Sequence, residues 1–381
     1  MTALVLNEDQ ELLAKTAADF VREHSPVSRV RALRDQRDPV GFSRPLWAQM
    51  AELGWVGIPF PEALGGAGMG FADLAVVLEQ LGRKLAPEPF LSTVLLGGQA
   101  LLLGGSPAQQ QAWLPELCAG RRIATLAWQE PRSRFDPFRI ETRARAEGDG
   151  FALDGEKIAV PDGHVADLLV VAARTAGAPG DEAGIGLFLV PPDASGVSIE
   201  PQTRIDHRNA SLLRLAGVRV GRDAVLGPPD GGGPLLARVL DRATAGLCAE
   251  MLGAASQVFE DTLQYLKTRV QFGVPIGSFQ ALQHRAARIF MELELARSAT
   301  MAAVRAVDAD APELAKLVSL AKARCSDAFL LAANEGIQMF GGVGMTDEYD
   351  LGFYLKRARV AEMTFGDAAW HRERWARLSG Y

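Results

Sequence analysis

Along this chain the hydrophobic period changes twice, and the resulting order constrains the fold more than any single motif does. From Asn7 to about Ala119, Leu12, Leu13, Thr16, Phe20 and Val21 set a spacing of three and four residues, the mark of amphipathic helices. Asn7 reads as a helix cap, with Glu8 and Asp9 in the first turn, where a helix N-terminus favours negative charge. Further helices are expected from Phe71 to about Leu85 and from Ser106-Pro107, a cap followed by proline at the first helical position. Ahead of both lies PFPEALGGAGMG, residues 59–70, too rich in glycine and proline for regular structure and therefore a turn-rich loop.

From about Ile123 to Leu226 the pattern shortens to β-type runs at 151–160, 168–173, 185–190, 197–200 and 212–220, separated by Gly, Pro and Asp clusters. GPPDGGGP, residues 227–234, reads as a linker. Helical spacing then resumes through Leu235, Val239, Leu247, Met251, Ala255, Phe259 and Leu266, with two more long helices at 280–307 and 312–339 and a fourth near the C-terminus. The prediction is a mainly α chain whose closely spaced central strands form a sandwich or a small barrel. It has an N-terminal helical domain (1–122), a middle β domain (123–230) and a C-terminal four-helix bundle (231–381). No βαβ alternation and no strand-borne GxGxxG occur, so a Rossmann site is unsupported.

Charge and cysteine usage narrow the function classes. A formal charge of −6, from 40 basic and 46 acidic side chains, removes the footprint of a nucleic-acid binder. Cys118, Cys248 and Cys325 form no CxxC pair, and His24, His164, His207, His284 and His371 show no ligand spacing. Neither a disulfide framework nor a metal site is expected. No apolar stretch is long enough for a membrane span, and the first residues lack the basic-then-apolar order of a leader. The expected compartment is the cytoplasm.

Two longer segments, TRVQFGVPIGSFQALQH (268–284) and QMFGGVGMTDEYDLGFYLKRAR (338–359), closely resemble the signature segments of the acyl-CoA dehydrogenase family. The likeness extends over the whole chain: PFPEALGGAGMG is similar to the family's N-terminal glycine loop, QEP (129–131) to its flavin-contacting segment, and DGEKIAVPDGHVADLLVVAAR (154–174) to its mid-domain hairpin. Within the family, FGD at 365–367 is most similar to the small-subunit type found with pimeloyl-CoA and other bacterial dehydrogenases. The resemblance implies a central β-barrel between the N-terminal helical domain and the C-terminal four-helix bundle, and with it FAD, a CoA thioester and α,β-dehydrogenation. It also implies electron transfer to a separate flavoprotein carrier and a tetramer, either of one chain or with a paralogous subunit.

Such chemistry needs a base for the α-proton, polarisation of the thioester carbonyl and an acceptor for the β-hydride, which no side chain can be. By resemblance Arg269 meets the FAD pyrophosphate, where a guanidinium can fork onto phosphate oxygens; alone, it would read as a surface arginine. Gln271, Phe272, Phe279 and Gln280 fall at positions the family uses around the cofactor, as do Gln338, Met339, Phe340, Gly341 and Gly342 from a neighbouring subunit. Trp128, Gln129, Val160 and Gly366 complete the implied flavin contacts. The middle domain departs from the pattern: Gln129 stands for the usual threonine, Phe135 for a serine, and Ala159, Val160 and Pro161 for a Trp-Ile-Thr/Ser run. Pro161 offers the flavin neither hydroxyl nor N–H.

The usual catalytic glutamate aligns with Phe365, and its alternative position with Ala243; neither can take a proton. Glu250 lies two turns past Ala243 on the same helix face, the one acid between Asp241 and Glu260. Read as an isolated carboxylate on an apolar helix, it is the first candidate base, against a structural pairing with an arginine. Asp367 is the second. Arg242 is a candidate contact to CoA or to a substrate carboxylate, against an ordinary surface arginine. Glu62, Glu348 and Tyr349 are explained by solvated helix starts. Rival functions are a non-catalytic partner subunit of a heteromeric dehydrogenase and a flavin oxidase or monooxygenase on the same fold.

Overall fold

In a computed structural model describing residues 6–381, Asn7 caps α1 (Glu8–His24). Its side chain accepts the Gln10 amide at 2.8 Å while Gln10 reaches back to the Asn7 N–H. The leader expectation rests partly on residues 1–5, outside the described residues. Helices α2 (Val27–Gln36) and α3 (Arg44–Glu52) precede the glycine loop, and α4 (Phe71–Arg83) follows it. A fully buried π-helical stretch, Phe90–Gly97, runs into α5 (Gly98–Gly104), and α6 (Pro107–Cys118) starts under its Ser106 cap.

Contacts divide the chain into two units. One holds the described residues up to Asp35, Phe71–Ala86 and Thr244–Tyr381; the other holds Gln36–Gly70 and Pro87–Ala243.

The second unit is built on a sheet of β1 (Ala124–Ala127), β2 (Arg143–Glu147), β3 (Gly150–Pro161), β4 (Leu168–Arg174), β5 (Ile185–Val190), β6 (Val197–Gln202), β7 (Ala210–Gly221) and β8 (Val225–Leu226). The order is β6-β7-β3-β2-β4-β5-β8, with β1 parallel on β4. The expected barrel is therefore corrected to an open sheet: β6 and β8 do not pair. Closure needs hydrogen bonds between the end strands, but β8 has two residues and β6 contains Pro201, which has no N–H to donate. Strands β4 and β5 are buried along their whole length, as continuous apolar runs require. The π-helical stretch packs on β1 and β4.

Helix α7 (Gly232–Thr268) begins inside the expected linker, and the boundary between the units falls within it. The first unit continues with a two-residue hairpin, β9 (Val270–Gln271) and β10 (Val274–Pro275), then α8 (Gln280–Asp308) and α9 (Leu314–Phe340). The expected fourth helix is two, α10 (Leu351–Met363) and α11 (Ala368–Leu378). Positive φ at Phe365 and Gly366 breaks the helical path between them.

Inside this unit α4 and α7 touch backbone to backbone. Gly82 of α4 faces the Glu250 carbonyl and Gly253 of α7 faces the Glu79 carbonyl, each so close that a Cβ would overlap the oxygen. Gly253→Ala should lower stability by about 1–3 kcal/mol, the cost of overpacking, read as an earlier thermal midpoint. An unchanged midpoint would mean that the crossing has slack.

Candidate functional site

Three candidate regions are held by different local devices. In the sheet unit, Trp128, Gln129 and Glu130 follow β1 directly. The Ile158 amide donates to the Gln129 carbonyl at 2.8 Å, and the Gln129 side chain donates to the Arg134 carbonyl at 3.0 Å. Trp128 and Val160 are buried. Val160 sits beside a bulge in the β3–β7 pairing, where Ala159 has φ +52, so its direction is set by the irregular strand.

Beneath this turn lies a buried ion pair that sequence reasoning missed, Lys157 Nζ to Glu130 Oε1 at 2.5 Å. Glu130 also accepts the amides of Glu141 at 2.6 Å and Thr142 at 3.0 Å. Burial alone would raise the Glu130 pKa, but Lys157 and these donors hold it below the usual carboxylate range. Burial brings the Lys157 ammonium down to about 8. Nearby, Arg174 gives its guanidinium wholly to backbone carbonyls, those of Phe138, Ile140, Ala176, Asp181 and Ala183. The sequence signal was the lysine of the DGEK segment, set directly against the apolar run 158–160. Arg242, half-buried, donates to Gln99 Oε1 at 2.8 Å in the same unit.

In the helical unit, Arg269 directly follows α7 and is exposed; among the described residues its guanidinium has no hydrogen bond or ion pair. The hairpin after it turns through Phe272 and Gly273, both with positive φ, the backbone of a tight two-residue turn. Phe272 is 92% exposed there and meets the Phe279 ring edge-on at 6.2 Å. Gln271 and Gln280 are exposed. The Tyr265 ring stacks on Phe340 at 4.0 Å, which brings the RVQFG and QMFGG segments to one end of the helices. Met339 and Phe340 are buried by this packing, whereas Gln338, Gly341 and Gly342 are exposed. A Cβ at Gly342 would meet open space, so the chain's own packing does not demand glycine there.

The donor set suits a pyrophosphate: an unspent guanidinium, exposed amide side chains and a backbone that a ligand can approach closely. Left-handed backbone at bulky Phe272 and Phe365, and at Ala159 beside Val160, falls within the segments that resemble cofactor contacts.

The candidate acids lie elsewhere. Glu250 is not the isolated carboxylate expected: Arg357 of α10 donates to its Oε1 at 3.0 Å, with both side chains largely buried. The expectation failed because the partner is 107 residues away in the chain. Asp367 caps α11, accepting the Trp370 amide at 2.8 Å. Gly366 is buried, and a Cβ there would meet the Trp370 and His371 rings, so local packing already requires glycine.

Models of one protein family match the chain in three successive segments. Residues 7–121 match the acyl-CoA dehydrogenase N-terminal domain, 125–217 the middle domain and 230–379 the C-terminal domain. The chain is 34% identical to the acyl-CoA dehydrogenase IpdE2 of Mycobacterium tuberculosis, over 92% of this chain and 91% of that protein. It is 30% identical to the probable acyl-CoA dehydrogenase YngJ of Bacillus subtilis, over 95% of each. The ChsE4-ChsE5 complex from Mycobacterium tuberculosis contains a chain of the same fold, with a TM-score of 0.89 and 28% identity over 100% of this chain and 99% of that one. Among the described residues no helix is long and apolar enough to cross a membrane.

Proposed function

We propose, from the premise that the chain belongs to the acyl-CoA dehydrogenase family, that it removes hydrogen from Cα and Cβ of an acyl-CoA thioester to leave the 2-enoyl-CoA. The family is one of FAD-dependent flavoprotein oxidoreductases, and this chain is an enzyme of that kind. When bound, the flavin supplies the hydride acceptor. A flavoprotein carrier is the proposed destination of the electrons. The reading is carried by the family match along all three segments, and the unspent Arg269 guanidinium supports it.

Arg269, Gln271 and the Gly341-Gly342 backbone would hold the phosphates. Along α9, Lys322 beside the Phe365 turn and Phe340 beside the hairpin are about 27 Å apart at helical rise. That separation supports an oligomer in which one copy's QMFGG end serves a neighbour's flavin. Replacing Arg269 with alanine should release FAD during dialysis, while the unfolding free energy of the FAD-free variant stays within about 0.5 kcal/mol of FAD-free wild type, because the guanidinium bonds a ligand and not the protein's own core. Full flavin occupancy after dialysis would reduce Arg269 to a surface residue.

Glu250 is the proposed acceptor of the α-proton, oriented by Arg357. Glu250→Gln keeps an acceptor for the guanidinium and removes basicity. Anaerobic bleaching of the flavin by a panel of acyl-CoA thioesters should slow roughly 100-fold or more, and Asp367→Asn, which still caps a helix, should bleach normally. The ion pair at Glu250, with Phe365 where the family carries its glutamate, favours a second reading: a subunit that completes the sites of a heteromeric dehydrogenase. The ChsE4-ChsE5 structure, a complex of two differently named chains, supports it. Wild-type flavin that no thioester bleaches until a paralogous chain is added would establish the second reading over the first.

A further inference from the structure

The turn between α10 and α11 is held in a strained shape by two buried side chains from outside it. Phe365 has φ +62, a left-handed conformation that is costly for a bulky residue and persists only where its surroundings enforce it. Lys322 of α9, fully buried, donates to the Gly366 carbonyl at 2.7 Å, the Glu362 carbonyl at 2.9 Å and Ser326 Oγ at 3.3 Å. Its three protons thus meet three acceptors. His371 of α11, also buried, has Nε2 at 3.1 Å from the Phe365 carbonyl. Because a carbonyl only accepts, Nε2 carries the proton, and Nδ1 is left buried without a partner among the described residues. Burial first, then Lys322 and Arg374, keep this imidazole neutral by pushing its pKa well down.

The carbonyls of Glu362, Phe365 and Gly366 are therefore each taken by a buried donor, and Asp367 fixes the exit by capping α11. A chain reversal that needed only to join two helices would be met by glycine at both positions. Here a phenylalanine is kept in the unfavourable one, and the side chains that hold it are a lysine and a histidine drawn out of solvent. Desolvating these two groups and straining the backbone all cost stability, and such costs concentrate where the direction of a side chain matters to function.

We propose that Lys322 and His371 are positioning residues that lock Phe365 in its left-handed conformation, so that its ring forms a fixed apolar wall against the acyl group of the bound thioester. This rests on the function proposed above for the ligand, and on the family resemblance, which aligns Phe365 with the usual glutamate, for the place of the ring beside it. The lock itself is a property of the turn.

Two measurements on the purified, flavin-loaded protein separate the parts. In hydrogen exchange, amides 364–367 should exchange at least about tenfold faster in Lys322→Met and in His371→Leu, the scale of removing one buried hydrogen bond. His371→Gln, which can still donate to the Phe365 carbonyl, should stay close to wild type. In titrations with butanoyl- to hexadecanoyl-CoA, the concentration that half-bleaches the flavin should rise at least about fivefold in the two loosened variants, with FAD content unchanged and His371→Gln again rescued. Should Lys322→Met fail to fold, the two His371 variants carry the test. Exchange that is unchanged, or accelerated equally along α9 and α11, would overturn the lock. Faster exchange confined to the turn with unaltered thioester dependence would overturn the wall. Wild-type flavin that no thioester bleaches, together with the expected exchange pattern, would sink the proposed function while upholding the lock.

Discussion

An Arg357→Met protein should unfold about 3–5 kcal/mol more easily than wild type, because the Glu250 carboxylate is left in the helix packing without the guanidinium that compensates its burial. On a chain of this size the thermal midpoint should fall by roughly 4–6 °C. The double variant Glu250→Leu/Arg357→Met should recover most of that stability, since the penalty comes from one uncompensated charge and not from the pair's absence. A single variant as stable as wild type would show that Glu250 is solvated in solution and would return it to the isolated carboxylate its sequence neighbours suggest. Stability and bleaching then give independent answers about this residue: the first reports the ion pair, the second the base.

Glu130→Gln should have a similar effect, about 3–5 kcal/mol, in the sheet unit, where Lys157 would be buried with no anion. Replacing both by Leu and Met should again recover most of it. The pH dependence has a definite sign on each side. Glu130 titrates lower in the folded protein than in the unfolded chain, so its contribution is fully present above the ordinary carboxylate pKa and is lost as acid carries the solution through the lower folded value. Lys157 is brought down to about 8 by burial. Its charge costs the fold stability below that pH, and the cost is relieved as pH rises from about 8 toward the ordinary lysine value. Urea unfolding at successive pH values should show both slopes, and the double replacement should flatten both. A steep acid slope that survives the replacement would assign it to another carboxylate.

Most of the secondary structure was legible because it depends on neighbours in the chain. The Asn7 and Ser106 caps act within one turn, and β5 occupies the expected residues 185–190. The fourth C-terminal helix divided because the break lies in the left-handed Phe365-Gly366 backbone, and phenylalanine does not announce such a conformation. The barrel expectation failed for a related reason: strand content can be read locally, but whether end strands meet depends on pairing between distant segments.

The sequence by itself determined the family and the helix–strand–helix order, and it supplied Arg269 and QMFGG as candidate cofactor segments, since periodicity and short motifs are written in consecutive residues. Only the tertiary structure decided what the buried charges do. Glu250 finds Arg357, Glu130 finds Lys157, and Lys322 reaches the Glu362 and Gly366 carbonyls across 27 to 107 positions of chain. An ionic or hydrogen-bonded contact is set by distance in space and by loss of water. The same carboxylate reads as a free base along the chain and as half of a buried pair once the helices are packed.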